Sequence, residues 1–322
     1  MKAIHLTAIG NPIENLKLVE IPTPTAPNSG EVIIKMEYSP VNFSDLMVAK
    51  GVYFVQPELP AVIGGEGVGV ITEIGPDVDH LKVGDRVVLP FGTYAWAEFV
   101  KAPAEKLFAL SLTSDPKQAA MASINPPTAI LLLDEYAKLE QGDWIVLNAG
   151  NSSIANVIFT FAKARGIKCV AIVRRPEAVE AARQAGADVV AVESETVVQE
   201  VKEATGGANI KLGLDGVGGK SSAILAQILG QGGHLVAYAV LSGQPLVVSQ
   251  VDLIVKRLKI HGFWMYLSEF LPKLDAAARE TDSLMASGSI NVPIAACYPL
   301  SAFSEAVEHS IKGEKVLLDF TL

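Results

Sequence analysis

From Asp143 to Arg175 the chain reads DWIVLNAGNSSIANVIFTFAKARGIKCVAIVRR. Trp144 to Leu147 is an apolar strand, Ala149 to Ser153 a loop of small residues, and a helix follows. A second apolar strand, Cys169 to Val173, stops at Arg174 and Arg175. A strand that feeds a helix through a small-residue loop aims backbone N–H groups and the positive helix end at one point, which suits a pyrophosphate. The two arginines stand where such units choose between a ribose hydroxyl and a ribose phosphate. With no Asp or Glu at that strand end, the chemistry indicated is binding of NADP(H). The loop holds one glycine, Gly150, so the same letters also describe a plain βαβ unit whose small residues let helix and strand pack closely.

The elements that must position this loop fall into two styles. Residues 1 to about 120 read as mostly β. EVIIKMEYS (31–39), GEGVGVITEIG (65–75), VGDRVVL (83–89) and YAWAEFV (94–100) are strand-like, and Pro22, Pro24, Pro27, Gly30, Pro57, Pro60, Pro76 and Pro90 punctuate them. VNFSDLMVAKG (41–51) is the exception, a short helix capped by Asn42 or Ser44 and ended by Gly51. A proline-rich loop with an aromatic tip, VYFVQPELP, follows it. DPKQAAMASI (115–124) begins a helix with Asp115 as cap. Pro126 and Pro127 interrupt it, and TAILLLDEYAKL (128–139) resumes with its apolar residues on one face.

From Trp144 onward short apolar strands alternate with helical spacers, the pattern of a doubly wound parallel sheet. LVVSQVDLIVKRLKIHGF (246–263) adds two strand-like pieces, and 246–255 is expected to be an edge strand that pairs with a twofold mate in a homodimer. An amphipathic helix over 269–288 precedes three short elements ending in KVLLDF (315–320), which resemble the first domain again.

Composition narrows the function classes. At 322 residues two domains are expected, and 50% hydrophobic with 19% charged residues describes a well-buried protein. A net charge of −9 argues against nonspecific nucleic-acid binding. No apolar run reaches the roughly 20 residues of a membrane span. The start MKAIHLT has neither a leader nor a transit pattern, so a cytoplasmic location is expected. Cys169 and Cys297 sit in apolar surroundings and read as reduced core residues, and the five histidines have no ligand spacing, so no metal is expected.

Six segments in order, VNFSDLMVAKGVYFVQPELPAV (41–62), INPPTA (124–129), NAGNSSIANVI (148–158), DGVGGKSS (215–222), VAYAVLSGQP (236–245) and HGFW (261–264), resemble the zinc-free branch of the medium-chain dehydrogenase/reductase superfamily. The likeness is narrowest to enoyl-thioester reductases of the mitochondrial trans-2-enoyl-CoA reductase type. It implies an α/β protein with a GroES-like, partly open β-barrel domain (1–120 with 267–322) that carries catalysis. The second domain implied is a Rossmann doubly wound parallel sheet (121–266) that binds NADPH in the crevice between domains, at the strand C-termini. Zinc-using members place a Cys in the segment matching Asn42 to Asp45 and a His in that matching Gly64 to Glu66, where this chain reads NFSD and GGE. Reduction of an activated C=C bond needs no Lewis acid: hydride adds at Cβ and a proton reaches Cα.

The resemblance implies particular residues. Tyr53 matches a tyrosine that donates or orients the proton, a role open to a phenol that is protonated at neutral pH. Asn125 matches an asparagine beside nicotinamide and substrate, where an amide donates and accepts at once. Asn151, Ser152, Ser153 and Ile154 match the phosphate loop, with Ser153 and Ala155 at positions where glycines are usual. Arg174 and Arg175 match the ribose-phosphate contacts, reading Arg-Arg-Pro where the family tends to Arg-Asp-Arg. Tyr238, Ala239, Val240 and Leu241 match a Tyr-Gly-Gly-Met turn, so two side chains stand where backbone normally nears the ligand. Phe263, Trp264 and Met265 match a Phe-Trp-Leu run by the nicotinamide, and Lys315 a lysine that approaches the cofactor. Asp45 and Glu66 have no partner at a spacing that demands catalysis and read as structural.

The implied activity is NADPH-dependent reduction of the α,β-double bond of an enoyl thioester, linked to CoA or to an acyl-carrier protein. Quinone or alkenal reduction is the enzymatic alternative, and a non-catalytic NADPH-binding relative is the alternative of another class.

Overall fold

Alternating and glycine-spaced apolar runs become strands in the first third of the chain, and the computed structural model describes residues 1–89, 92–110 and 114–322. In chain order the early elements are β1 (Lys2–Leu6), α1 (Pro12–Asn15), β2 (Leu16–Glu20), β3 (Glu31–Pro40), α2 (Phe43–Ala49), β4 (Ala61–Val62), β5 (Gly67–Ile74), β6 (Arg86–Leu89), β7 (Phe99–Pro103), β8 (Phe108–Ala109), α3 (Pro116–Ala119) and α4 (Asn125–Asp134). Then come β9 (Trp144–Leu147), α5 (Ser153–Ala164), β10 (Lys168–Val173), α6 (Val179–Gln184), β11 (Val189–Val192), α7 (Val197–Ala204), β12 (Leu212–Asp215), α8 (Gly219–Ile228), β13 (His234–Ala237), α9 (Gln250–Val255) and β14 (Lys259–Gly262). α10 (Leu274–Ala286), β15 (Ala296–Pro299), α11 (Phe303–Ile311) and β16 (Val316–Asp319) complete the chain. Pro90, read above as a strand breaker, lies outside the described residues.

Met1–Asn125 and Ala278–Leu322 form one unit, and Pro126–Ala277 the other. The first is the GroES-like unit. Its larger sheet runs β15-β16-β3-β5-β6-β8 with β7 also on β3, and a smaller one runs β2-β1-β4. Two apolar clusters fill it: one gathers Ile4, Leu6, Leu46, Trp96 and Leu318, the other Val32, Ile34, Ile71 and Leu89. The returning β16 pairs antiparallel with the end of β3, Leu317 opposite Pro40. That register brings residue 315 to the start of α2.

The second unit is a Rossmann sheet of six parallel strands in the order β11-β10-β9-β12-β13-β14. Val146, Val170, Ile172, Leu225 and Leu235 are among the residues that build its core. The order reverses between β9 and β12, so the loops after β9, β10, β12 and β13 meet at one edge of the sheet, where such folds bind ligands.

Local readings needed correction in four places. α3 is a single turn capped by Asp115, and Pro126 and Pro127 sit in the first turn of α4 instead of interrupting a helix; a proline there gives up an N–H that has no intrahelical acceptor anyway. α4 is buried at every residue from Pro126 to Leu133, so it is a core helix and not the one-faced helix expected over 128–139. YAWAEFV becomes a regular strand only at Phe99; before it, Ala95 and Trp96 donate their N–H groups to Gly64 and Ile63, and Ala97 makes a single bridge to Ala3 of β1. Finally, 246–255 is a loop followed by α9, capped by Ser249, and the edge strand of this sheet is β14. A β-branched run without period-2 alternation does not distinguish strand from helix, and the Ser249 cap decided it.

Among the described residues no helix is long and apolar enough to cross a membrane. Both cysteines are free thiols in strands, Cys169 buried and Cys297 half-buried.

Candidate active site

β9 ends at Leu147, and the chain then turns through Asn148, Ala149 and Gly150 before α5 begins. Gly150 lies against β10: its N–H donates to the Ile172 carbonyl at 3.0 Å, and a Cβ here would sit 2.7 Å from the Ala171 Cβ. This one close approach requires a glycine. Ala149 turns the loop with φ of +49°. Ser152 caps α5, its Oγ accepting from Ala155 N–H at 3.3 Å, and Ser153 and Ile154 open the helix. Ala155 is fully buried, its methyl packed without displacing the loop from β10. The twelve-residue α5 thus presents its positive end beside Asn151, which is exposed.

Arg174 and Arg175 follow β10, both exposed and without an ion-pair partner among the described residues. Glu193 follows β11 next to this strand end, its N–H donating to the Val173 carbonyl at 2.9 Å. Ser221 donates to the Glu193 carboxylate at 2.5 Å and engages it toward α8. Sequence reading missed this network. Asn148 Nδ2 donates to Asp215 Oδ1 at 2.6 Å and to Ser221 Oγ at 3.2 Å, while its Oδ1 accepts from Gly216 N–H at 2.8 Å. Asp215 Oδ1 also accepts from Val217 and Gly218 N–H, each at 2.9 Å. One buried amide therefore ties the ends of β9 and β12 together. The DGVGG motif was legible in the sequence, but its partner Asn148 lies 67 residues away.

Tyr238 to Leu241 bridge back to the same edge: Tyr238 N–H donates to the Asp215 carbonyl and Leu241 N–H to that of Gly216, both at 3.0 Å. Ala239 and Val240 are exposed and neither has a positive φ, so this turn needs no glycine for its backbone. The Tyr238 hydroxyl and Asp215 Oδ2 are buried and lack hydrogen-bond partners. Burial, and then Asp215, push the Tyr238 phenol above its ordinary pKa, so it stays a donor. The Gly150 cradle, the end of α5 and two guanidinium groups with no ion-pair partner among the described residues lie at one sheet edge, and these donors fit a dinucleotide carrying an extra phosphate. Phe263 and Met265 are both buried, the Phe263 ring tilted against Phe270 at 5.2 Å between centroids and Met265 Sδ accepting from Thr128 Oγ1 at 3.4 Å, while Trp264 is half-buried and edge-on to Tyr266.

In the GroES-like unit Asn42 caps the start of α2 and Lys50 its end, and the chain then turns at Gly51, whose φ is +75°. Tyr53 follows, half-buried, 5.1 Å from the Phe54 ring and flanked by exposed Val52, Phe54 and Val55. Behind it, Asp45 Oδ2 accepts from Asn42 N–H and Oδ1 from Gly65 N–H, both at 2.8 Å. Asn42 Nδ2 donates to Glu66 Oε1 at 2.8 Å, and Glu66 Oε2 accepts from Ile124 N–H at 3.1 Å and the Ser123 hydroxyl at 3.4 Å. Asn125 is the next residue, half-buried at the start of α4. Lys315 Nζ donates to Asn42 Oδ1 at 2.5 Å. Burial raises Asp45 to about 6 and Glu66 to about 7, and it lowers Lys315. Asp45 and Glu66, read from sequence as structural, are members of one buried polar cluster. The signal that could have found them is the pairing of β16 with β3, which no local pattern carries.

The comparisons with known proteins follow this architecture. A family described as alcohol dehydrogenase GroES-like domain matches residues 28–111, and one described as zinc-binding dehydrogenase matches 154–279. The mitochondrial enoyl acyl-carrier-protein reductase of Xenopus tropicalis is 33% identical over 94% of this chain and 89% of its own length. The human protein of that name is 32% identical over 93% and 81%. Among solved structures, a complex of Etr1p with NADP and crotonyl-CoA aligns over 99% of both chains with a TM-score of 0.87 and 26% identity. The NADPH complex of Escherichia coli quinone oxidoreductase aligns over 99% and 100% with a TM-score of 0.88 and 27% identity. The chain belongs to the mitochondrial-type enoyl reductase family of the medium-chain dehydrogenase/reductase superfamily.

Proposed function

We propose that this chain is an NADPH-dependent enoyl thioester reductase. The observation that carries the reading is likeness to enoyl acyl-carrier-protein reductases along 94% of the chain, joined to a sheet edge that offers Arg174 and Arg175 without acidic partners. When bound, NADPH supplies the hydride that adds at Cβ. The loop from Gly150 to Ile154 holds the pyrophosphate with backbone N–H groups and the end of α5, and Arg174 and Arg175 hold the ribose phosphate through charge-assisted hydrogen bonds. Tyr238 to Leu241 line the same edge, and the Tyr238 hydroxyl is a donor in need of an acceptor. Tyr53 gives the Cα proton, or the hydrogen bond that orients it, to the developing enolate. Val52, Phe54 and Val55 beside it give an acyl chain an apolar surface.

The test is oxidation of NADPH in the presence of short and long enoyl-CoAs, a quinone and an alkenal. Turnover of crotonyl-CoA is the expected result. Turnover of the quinone alone would replace this reading with quinone reduction, which the likeness to Escherichia coli quinone oxidoreductase favours. Tight NADPH binding without turnover of any acceptor would favour a non-catalytic relative.

The partners follow. The substrate is an acyl thioester, on CoA or on an acyl-carrier protein, and the two are separated by comparing crotonyl-CoA with crotonyl-carrier protein. The assembly is a homodimer through β14, the open edge of the Rossmann sheet, beside α9 with Val251, Ile254 and Val255 exposed. A related structure is a heterodimer of 2-enoyl thioester reductases from Candida tropicalis. A monomer at micromolar concentration in sedimentation velocity would remove this assignment. The relatives are named mitochondrial, and cytoplasmic placement of this chain is a proposal that cell fractionation tests.

A further inference from the structure

Asn148 and Ser221 are buried, and the hydrogen bonds they share can run in one direction only. The Gly216 N–H can only donate, so the Asn148 Oδ1 that accepts it at 2.8 Å fixes which end of the amide is which. Asn148 Nδ2 then has two hydrogens, one for Asp215 Oδ1 at 2.6 Å and one for Ser221 Oγ at 3.2 Å. A serine hydroxyl has a single proton, and with Asn148 donating to its oxygen that proton goes to Glu193 Oε1 at 2.5 Å. A backbone N–H just beyond β12 thus dictates, through two buried side chains, a hydrogen bond to a carboxylate just beyond β11.

That carboxylate stands beside the two arginines. Val173 is in register with Val192, and Glu193 N–H continues the ladder to the Val173 carbonyl at 2.9 Å. Arg174 and Glu193 are therefore the next neighbours on adjacent strands, whose backbones lie about 4.8 Å apart, well within the reach of a guanidinium. They are placed to pair, yet Arg174 and Arg175 have no ion-pair partner among the described residues, and Glu193 turns to α8. Ser221 lies in the first turn of that ten-residue helix, whose positive end favours a carboxylate. A carboxylate released onto Arg174 would occupy the donors that an anionic ligand needs.

We propose that Ser221 is a positioning residue that sets cofactor choice: its hydroxyl holds the Glu193 carboxylate toward α8, so that Arg174 and Arg175 stay open to the ribose phosphate of NADPH. The proposal rests on the NADPH reading for the identity of that phosphate.

The test measures Kd for NADPH and for NADH by fluorescence titration in the wild type, Ser221→Ala, Glu193→Gln and the double variant. Ser221→Ala should weaken NADPH binding about tenfold, the scale of one charge-assisted hydrogen bond, while NADH stays within about twofold. Adding Glu193→Gln should restore NADPH binding to within about twofold of the wild type, because a neutral amide competes poorly for a guanidinium. Ser221→Thr, which keeps the hydroxyl, should keep the wild-type preference. An unchanged ratio of the two Kd values in Ser221→Ala would overturn the proposal, as would equal losses with both cofactors or a loss that Glu193→Gln fails to restore. If Ser221→Ala does not fold, Ser221→Cys takes its place with the same expected ratio, its thiol being a weak donor. Wild-type protein that binds NADH as tightly as NADPH would end the NADPH reading, and the role of Ser221 is then decided without cofactor. Arg174→Ala and Glu193→Gln, singly and together, should change Tm additively in the wild-type background and non-additively in Ser221→Ala, where the new ion pair forms; additivity in both backgrounds would overturn the proposal.

Discussion

The two units build their functional regions in opposite ways. At the edge of the Rossmann sheet the groups offered to a ligand are backbone N–H groups, a helix end and two exposed guanidinium groups, and the buried side chains beneath them only hold strand ends in place. In the GroES-like unit the groups beneath Tyr53 and Asn125 are themselves charged, and their arrangement depends on side chains from Asn42, Asp45, Glu66 and Lys315 together. The first design tolerates substitution wherever the backbone path is kept. Ala155, Ala239 and Val240 replace family glycines, yet none needs a positive φ, whereas Gly150, Gly216 and Gly218 each make an approach that excludes a Cβ. The second design has little tolerance, because removing one charge strands another in a low-dielectric interior.

The largest effect that would sharpen this contrast lies at Tyr53. Tyr53→Phe is expected to lower kcat on crotonyl-CoA by about 10²–10⁴-fold while leaving Tm and NADPH affinity unchanged; wild-type turnover would end the assignment. Next comes a dependence on pH that the GroES-like unit should show through its stability. Glu66 binds its proton more tightly in the folded chain, at about 7 against an ordinary 4.5. The folded state therefore carries the extra proton across that interval, and stability falls as pH rises through it, by about 3 kcal/mol for this group. Asp45, raised to about 6, contributes with the same sign. Melting curves of the wild type and Glu66→Gln between pH 5 and 8 check this, and parallel curves for the two would contradict it.

The Rossmann edge should answer to charge at its surface. Replacing both Arg174 and Arg175 by Ala should cut kcat/KM for NADPH by about 100-fold relative to NADH, the scale of two charge-assisted hydrogen bonds, with no change in Tm. Equal losses with both cofactors would show that the arginines do not read the phosphate. The smallest effect separates necessary from customary glycines. Gly150→Ala should destabilise by about 1–3 kcal/mol and weaken NADPH binding, because the new methyl meets Ala171. Ala155→Gly should cost under about 1 kcal/mol, the ordinary helix-propensity difference, and leave NADPH binding alone. Thermal melts and cofactor titrations of the pair compare them directly.

Much of the architecture was legible from local letters. The alternation of apolar strands and helices after Trp144, the small-residue loop at Gly150, the two arginines after Val173 and the cap at Asn42 all follow from periodicity and from which residues satisfy helix ends. Misreadings came where the same letters serve two structures. LVVSQVDLIV carries no alternation to mark it as strand or helix, and TAILLLD is apolar all round because it is buried all round.

By itself the sequence determined a two-style α/β chain and a small-residue loop followed by two arginines, and by resemblance it proposed a phosphate site there and a tyrosine for the proton. Tertiary structure alone decided which side chains share a buried space. Asn148 meets Asp215 across 67 residues and Lys315 meets Asn42 across 273. Only strand pairing closes those distances, and only burial turns Asp45, Glu66 and Lys315 from ordinary charges into groups that must answer one another.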